Sequence, residues 1–177
     1  MKTPPLLPEE TLHRVLRVAN FNGLSVLAVS GMMTLAVAST GNYVGVAIGL
    51  LVAAAGAIEL HGAGLLRAGD ARGTRWLVAS QPYLLLVVLA YCGVRLASYD
   101  PALLQAAMTP ELREALTQKG YTEEKFLHLL YVTTYVVLAV GTLIYQGAMT
   151  LYYLRRQAAL TSAVQQDGSE DEPERFN

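Results

Sequence analysis

YVGVAIGLLVAAAGAIELHGAGLL, residues 43–66, carries a single charged side chain, Glu59. A helix needs about 20 mostly apolar residues to cross the ~30 Å hydrocarbon layer of a bilayer. Backbone amides in lipid must bond within their own segment, which makes such a stretch a helix. Three further stretches of this kind stand at residues 16–39, 76–98 and 126–153. The pattern predicts an all-α integral membrane protein, a bundle of four transmembrane helices over about 13–39, 43–67, 75–98 and 123–156. Residues 1–156 form the expected transmembrane domain, and 157–177, acidic toward the end with Gly168 and Pro173, read as a disordered tail.

Composition agrees. The chain of 177 residues is 53% apolar and 15% charged, with net charge −1. Soluble domains carry about a quarter charged residues, and the deficit lies in the four apolar runs. The neutral balance offers no basic surface for nucleic acid. One cysteine, Cys92, excludes an internal disulfide and CxxC redox chemistry.

Basic residues near the ends of spans set orientation. Lys2, Arg14, Arg17, Arg67, Arg72, Arg75, Arg155 and Arg156 fall on one side. The other side has the uncharged turn 40–42 and the acidic-leaning loop 99–125. Both termini are therefore expected in the cytoplasm of a bacterial inner (plasma) membrane protein. In the outer loop, Asp100-Pro101 and Thr109-Pro110-Glu111 read as N-caps followed by proline at the first helical position, and Gly120 as a stop. One or two short amphipathic helices follow from these signals.

Glu59 is the residue hardest to place in a bilayer, since an intramembrane carboxylate must be paired, protonated or wet. Turning 100° per residue puts Gly41, Gly45, Ala55, Gly56 and Ala63 on its side of the helix. Small residues admit a neighbouring helix closely. The same reasoning gives a packing groove along Gly41, Gly45, Gly49, Ala53 and Ala57, with Gly56 beside Glu59. Asn20, Asn22, His61, Ser80, Gln81 and Gln146 lie at a similar depth, so all four helices supply polar groups to one level. Glu59 and His61 are about 200° apart and cannot face one neighbour. Along the fourth helix His128, Tyr131, Tyr135, Thr142, Gln146, Thr150 and Tyr153 form a polar stripe, opposite Leu130, Val137, Ile144 and Leu151. Such a stripe must face protein or water.

The functional expectation is a small homo-oligomeric channel or small-solute or ion transporter. Its path would use Glu59, His61, Asn20, Asn22, Gln81, Gln146, Thr142, Tyr135, Tyr131 and His128. Four helices leave little room for a pore, so several copies are expected about a cyclic axis. The alternative is a non-transporting scaffold or accessory subunit in which these groups only join helices. No nucleophile–base pair, HExxH, phosphate loop or GxSxG supports an enzyme. No metal and no cofactor is expected; the expected partners are lipid, further copies of the chain and a small ion or solute.

Overall fold

In a computed structural model, the described residues (8–101, 104–105 and 108–170) are all-helical. The helices are α1 (Pro8–Ala38), α2 (Tyr43–Arg67), α3 (Gly73–Ala97), α4 (Pro110–Gln118) and α5 (Glu123–Glu170). All but α4 are long and apolar enough to cross a membrane. Their most apolar windows are only 11% to 28% buried. Phe21, Met32, Leu35 and Val137 among others stand exposed. Water does not tolerate so continuous an apolar surface, whereas acyl chains do. The chain is thus compatible with a membrane-spanning protein.

Residues 1–87 with 145–177 form one compact unit, and 88–144 a second. In the first unit α1 and α2 run antiparallel. The turn between them has Gly41 at φ 71°, and Asn42 caps α2 by accepting from the Gly45 N–H at 2.9 Å. Further along, a Cβ on Gly56 would meet the Gly23 carbonyl at 2.7 Å and the Leu27 nitrogen at 2.9 Å. A Cβ on Gly49 would collide with the Thr34 side chain. Two glycines face to face let the backbones of α1 and α2 touch, the packing that small residues favour in lipid. Gly62 and Gly73 do the same between α2 and α3.

Against α1 the packing line on α2 is Gly45, Gly49 and Gly56. Gly41 lies in the turn with open space around it, and Ala57 is exposed. A spacing of four drifts about 40° per step around a helix, while a spacing of seven returns to within about 20°. The contact therefore passes from Gly49 to Gly56 and leaves Ala57 behind.

The core of this unit gathers Val15, Ala19, Ala63, Leu66, Leu77, Tyr153, Leu160 and Val164. It therefore joins the first half of α1, the end of α2, the start of α3 and the second half of α5. α5 does not stop at Arg156 with a disordered remainder, as the sequence suggested; it continues to Glu170. Leu160, Ala163 and Val164, spaced three and four apart, put one buried stripe on this extension. Only residues 171–177 of the expected tail, with Lys2 at the other end, lie outside the described residues.

α2 closes with Gly69 at φ 76°, where Asp70 N–H bonds back to Leu65 O at 2.9 Å. Asp70 then accepts from the Arg72 N–H at 2.8 Å and from Arg72 Nε at 3.0 Å. The Arg72 side chain holds the Asp70 carboxyl below its ordinary pKa.

The second unit holds the end of α3, α4 and the first part of α5. Thr109 caps α4 with Pro110 at its first turn, and Gly120 at φ 74° ends it, with Tyr121 N–H on Leu116 O at 3.0 Å. These are the start and stop anticipated from the sequence. The earlier signal at Asp100-Pro101 gives one turn, Gln105 N–H on Pro101 O at 2.8 Å. Its neighbours 102–103 and 106–107 lie outside the described residues.

Two outcomes follow. Gly56→Val should lower stability in detergent by about 1–3 kcal/mol through forced separation of α1 and α2. Gly64→Ala, where a Cβ meets nothing within 4 Å, should leave thermal unfolding unchanged or slightly higher. In a carboxyl NMR titration Asp70 should lose its charge below the usual aspartate value of ~3.9, and Arg72→Gln should move that midpoint upward. The loop contact is therefore present at neutral pH and lost only as acid passes the lowered midpoint.

Candidate functional site

Glu59 stands one turn beyond Gly56, where α1 and α2 touch. The antiparallel register that sets Gly23 against Gly56 brings Asn22 opposite Glu59. Asn22 Nδ2 donates to Glu59 Oε2 at 2.6 Å. Tyr153 Oη, from α5, donates to Oε1 at 2.6 Å. Tyr145 Oη, two turns earlier on α5, donates to Asn22 Oδ1 at 2.8 Å. The Asn22 amide orientation follows from its two partners. Hydroxyl bonds to a carboxylate are short, about 2.5–2.7 Å, and the Tyr153 bond is of that kind. Every hydrogen in this network points toward Glu59, so the carboxyl is its terminal acceptor. Glu59 is 2% exposed, and Asn22, Tyr153 and the Gln81 side chain, which also reaches the carboxyl, are all neutral.

Around this centre lie buried amides with spare capacity. Gln81 Nε2 donates to Ser80 Oγ at 3.0 Å, and Ser80 Oγ donates to Leu77 O at 2.9 Å. Gln81 Oε1 and Gln146 Oε1 are buried without a hydrogen-bond donor. A buried polar oxygen left unmatched costs about 1–3 kcal/mol. Of the two, the Gln81 side chain is the one that acts on Glu59.

The other expected residues distribute differently. Asn20 is half-buried and takes no part in the Glu59 network. His61 is exposed, its ring edge-on to Trp76 with centroids 5.3 Å apart. Thr142, Tyr135, Tyr131 and His128 belong to the second unit. There Arg95 Nε donates to Tyr135 Oη at 3.0 Å, and Tyr131 Oη donates to Arg95 O at 2.8 Å. The guanidinium lies 5.9 and 6.0 Å from the ring centres of Tyr135 and Tyr131. Tyr99 packs against Tyr131 and His128. The stripe on α5 thus serves two separate clusters, one around Glu59 and one around Arg95.

Sequence reasoning placed Tyr153 on the polar stripe without joining it to Glu59, and passed over Tyr145. The bond from Tyr153 spans 94 residues, so only the rotation of α5 against α2 could reveal it. Among the described residues no three His, Cys, Asp or Glu side chains gather into a metal-binding group. One carboxylate among amide and phenol oxygens suits a proton or a single small hard cation, since soft and transition metals call for thiolate or imidazole. No family model, no curated protein and no solved structure matches this chain.

The Glu59–Tyr153 bond should be measurable by a double-mutant cycle on unfolding in detergent. Tyr153→Phe and Glu59→Gln should each destabilise, and the double variant should lose less than their sum. The expected coupling is about 1 kcal/mol, within the ~0.6–2 kcal/mol of interhelical hydrogen bonds in membranes. Strict additivity would mean that the bond does not hold α2 to α5.

Proposed function

We propose that the protein carries a proton or small cation across the membrane, with Glu59 as the binding carboxyl. One observation carries this reading: Glu59 is enclosed by α1, α2 and α5, and its bonded partners are neutral. A buried acid held by a salt bridge has its counter-charge built in. This one has none in its bonding network, and a mobile proton or cation would supply it.

The unused acceptors support the same reading. With Glu59 ionised, its two oxygens take donors from Asn22 and Tyr153. Once Glu59 carries a proton, it becomes a donor to Tyr153 Oη, and the phenol hydrogen needs another acceptor. Gln81 Oε1, on a side chain that acts on Glu59, is an acceptor of that class and idle in the present arrangement. Near-complete enclosure of Glu59 favours a carrier that opens to each side in turn over an open channel. Asn22 and Gln81 hold and sense the carboxyl, and Tyr153 and Tyr145 link it to α5. In this reading copies assemble in a plasma membrane through their exposed apolar faces, and the arginine-bearing helix ends with both termini face the cytoplasm.

A scaffold remains the rival on one specific observation. Donors from two other helices occupy both Glu59 oxygens, so the carboxyl also braces α1, α2 and α5.

Purified protein in sealed vesicles should dissipate an imposed pH or cation gradient, and Glu59→Gln should abolish this at unchanged helicity and vesicle incorporation. Equal flux from both proteins would remove Glu59 from the path. Absence of flux from wild type over a range of pH and voltage would favour the brace.

A further inference from the structure

A second feature of the first unit is independent of Glu59. Near residue 155 the surface of α5 turns from apolar to basic within two turns. Ala148, Leu151, Tyr152, Arg155 and Arg156 line an open cleft of 570 Å³. Its upper part is apolar, with Leu151 about half exposed. Its lower part holds two guanidinium groups. Arg156 stacks on the Tyr152 ring at 3.9 Å from its centre, a contact that uses the guanidinium face and leaves its N–H edge available. Tyr152 Oη is buried without a hydrogen-bond partner. One turn further, Ala71, Arg72, Arg75, Gln157 and Thr161 line a second cleft, of 240 Å³. Four arginines line the two clefts, and among the described residues Arg72 alone of them is in a salt bridge, with Asp70 at 2.8 Å.

We infer that these clefts hold the headgroup of an anionic phospholipid, with its acyl chain along Ala148 and Leu151. The chemistry selects this occupant in two steps. Guanidinium forks recognise phosphate oxygens in a bidentate manner, and basic pockets at the rim of membrane helices collect anionic headgroups. The apolar half, continuous with the lipid-facing surface of α5, then distinguishes a phospholipid from free phosphate. Arg155 and Arg156 bind the phosphodiester, Arg75 with Gln157 and Thr161 receives the polar remainder of the headgroup, and Tyr152 fixes the Arg156 plane. The site lies between the start of α3 with the turn before it and the middle of α5, and no part of it is a group assigned to transport.

The test is native mass spectrometry of the full chain released from nanodiscs of equal phosphatidylglycerol and phosphatidylcholine. Wild type should retain phosphatidylglycerol preferentially, by about fivefold for each arginine engaged. Arg155→Gln with Arg156→Gln should bring retention of the two lipids close to equal, and Tyr152→Phe, which keeps the stacked ring, should preserve the preference. Arg113→Gln, on α4, should also preserve it and controls for general loss of charge. Millimolar inorganic phosphate should not displace the bound lipid. Equal retention of both lipids by wild type would overturn the proposal and leave the arginines to another anion. An undiminished preference in the double arginine variant, folded by helicity and monodispersity, would overturn it as well. Displacement by phosphate would reassign the clefts to a free anion.

Discussion

A carboxylate in an apolar interior needs donors, and here the donors come from outside its own helix. Glu59 takes one from α1 and one from α5, so its requirement fixes how those helices may rotate and slide against α2. The register of α1 against α2 is set independently by Gly23 and Gly56. The two constraints agree: the backbone contact leaves Asn22 level with Glu59. A shift of one residue in α1 would turn Asn22 by about 100° and leave the carboxyl short of a donor. Packing and polarity thus specify the same arrangement, which is the consistency expected of a sequence that encodes one structure.

The two kinds of contact do different work. Glycine contacts bring backbones together and give close van der Waals packing in a medium without a hydrophobic drive between helices. Polar contacts add modest strength but are highly selective, because an unmatched donor or acceptor in lipid has no water to turn to. The buried oxygens of Gln81 and Gln146 depart from that economy. Both oxygens are buried without a hydrogen-bond donor.

Much of the architecture was legible in the apolar runs, because a span of lipid fixes both length and secondary structure. Glu59, Asn22 and Gln81 were legible as well, since polar side chains stand out in such segments. Their partners on α5 were harder to find. Tyrosines near the ends of spans commonly anchor at the interface, and nothing local separates Tyr145 or Tyr153 from that role. The end of α5 misled for a related reason. Leu160, Ala163 and Val164 are few and modest among Gln, Ser and Thr, and the acids that follow dominate the composition. Only the packing of Leu160 and Val164 with Val15 and its neighbours identifies them as a helix face. Gly41 misled because its spacing continues a groove, whereas its positive φ belongs to a turn.

The short α1–α2 turn has a bearing on how the chain is made. Residues 39–42, Ser-Thr-Gly-Asn, are uncharged, so carrying them through a bilayer meets only a small electrostatic barrier. The hairpin is complete by Arg67, before any of α3 or α5 has been synthesised. Within it Glu59 already has Asn22, 37 residues upstream, and the glycine faces that hold the pair together. The first donor to this side chain is therefore present in the chain before the later helices are made. α5, made last, adds the second donor through Tyr153.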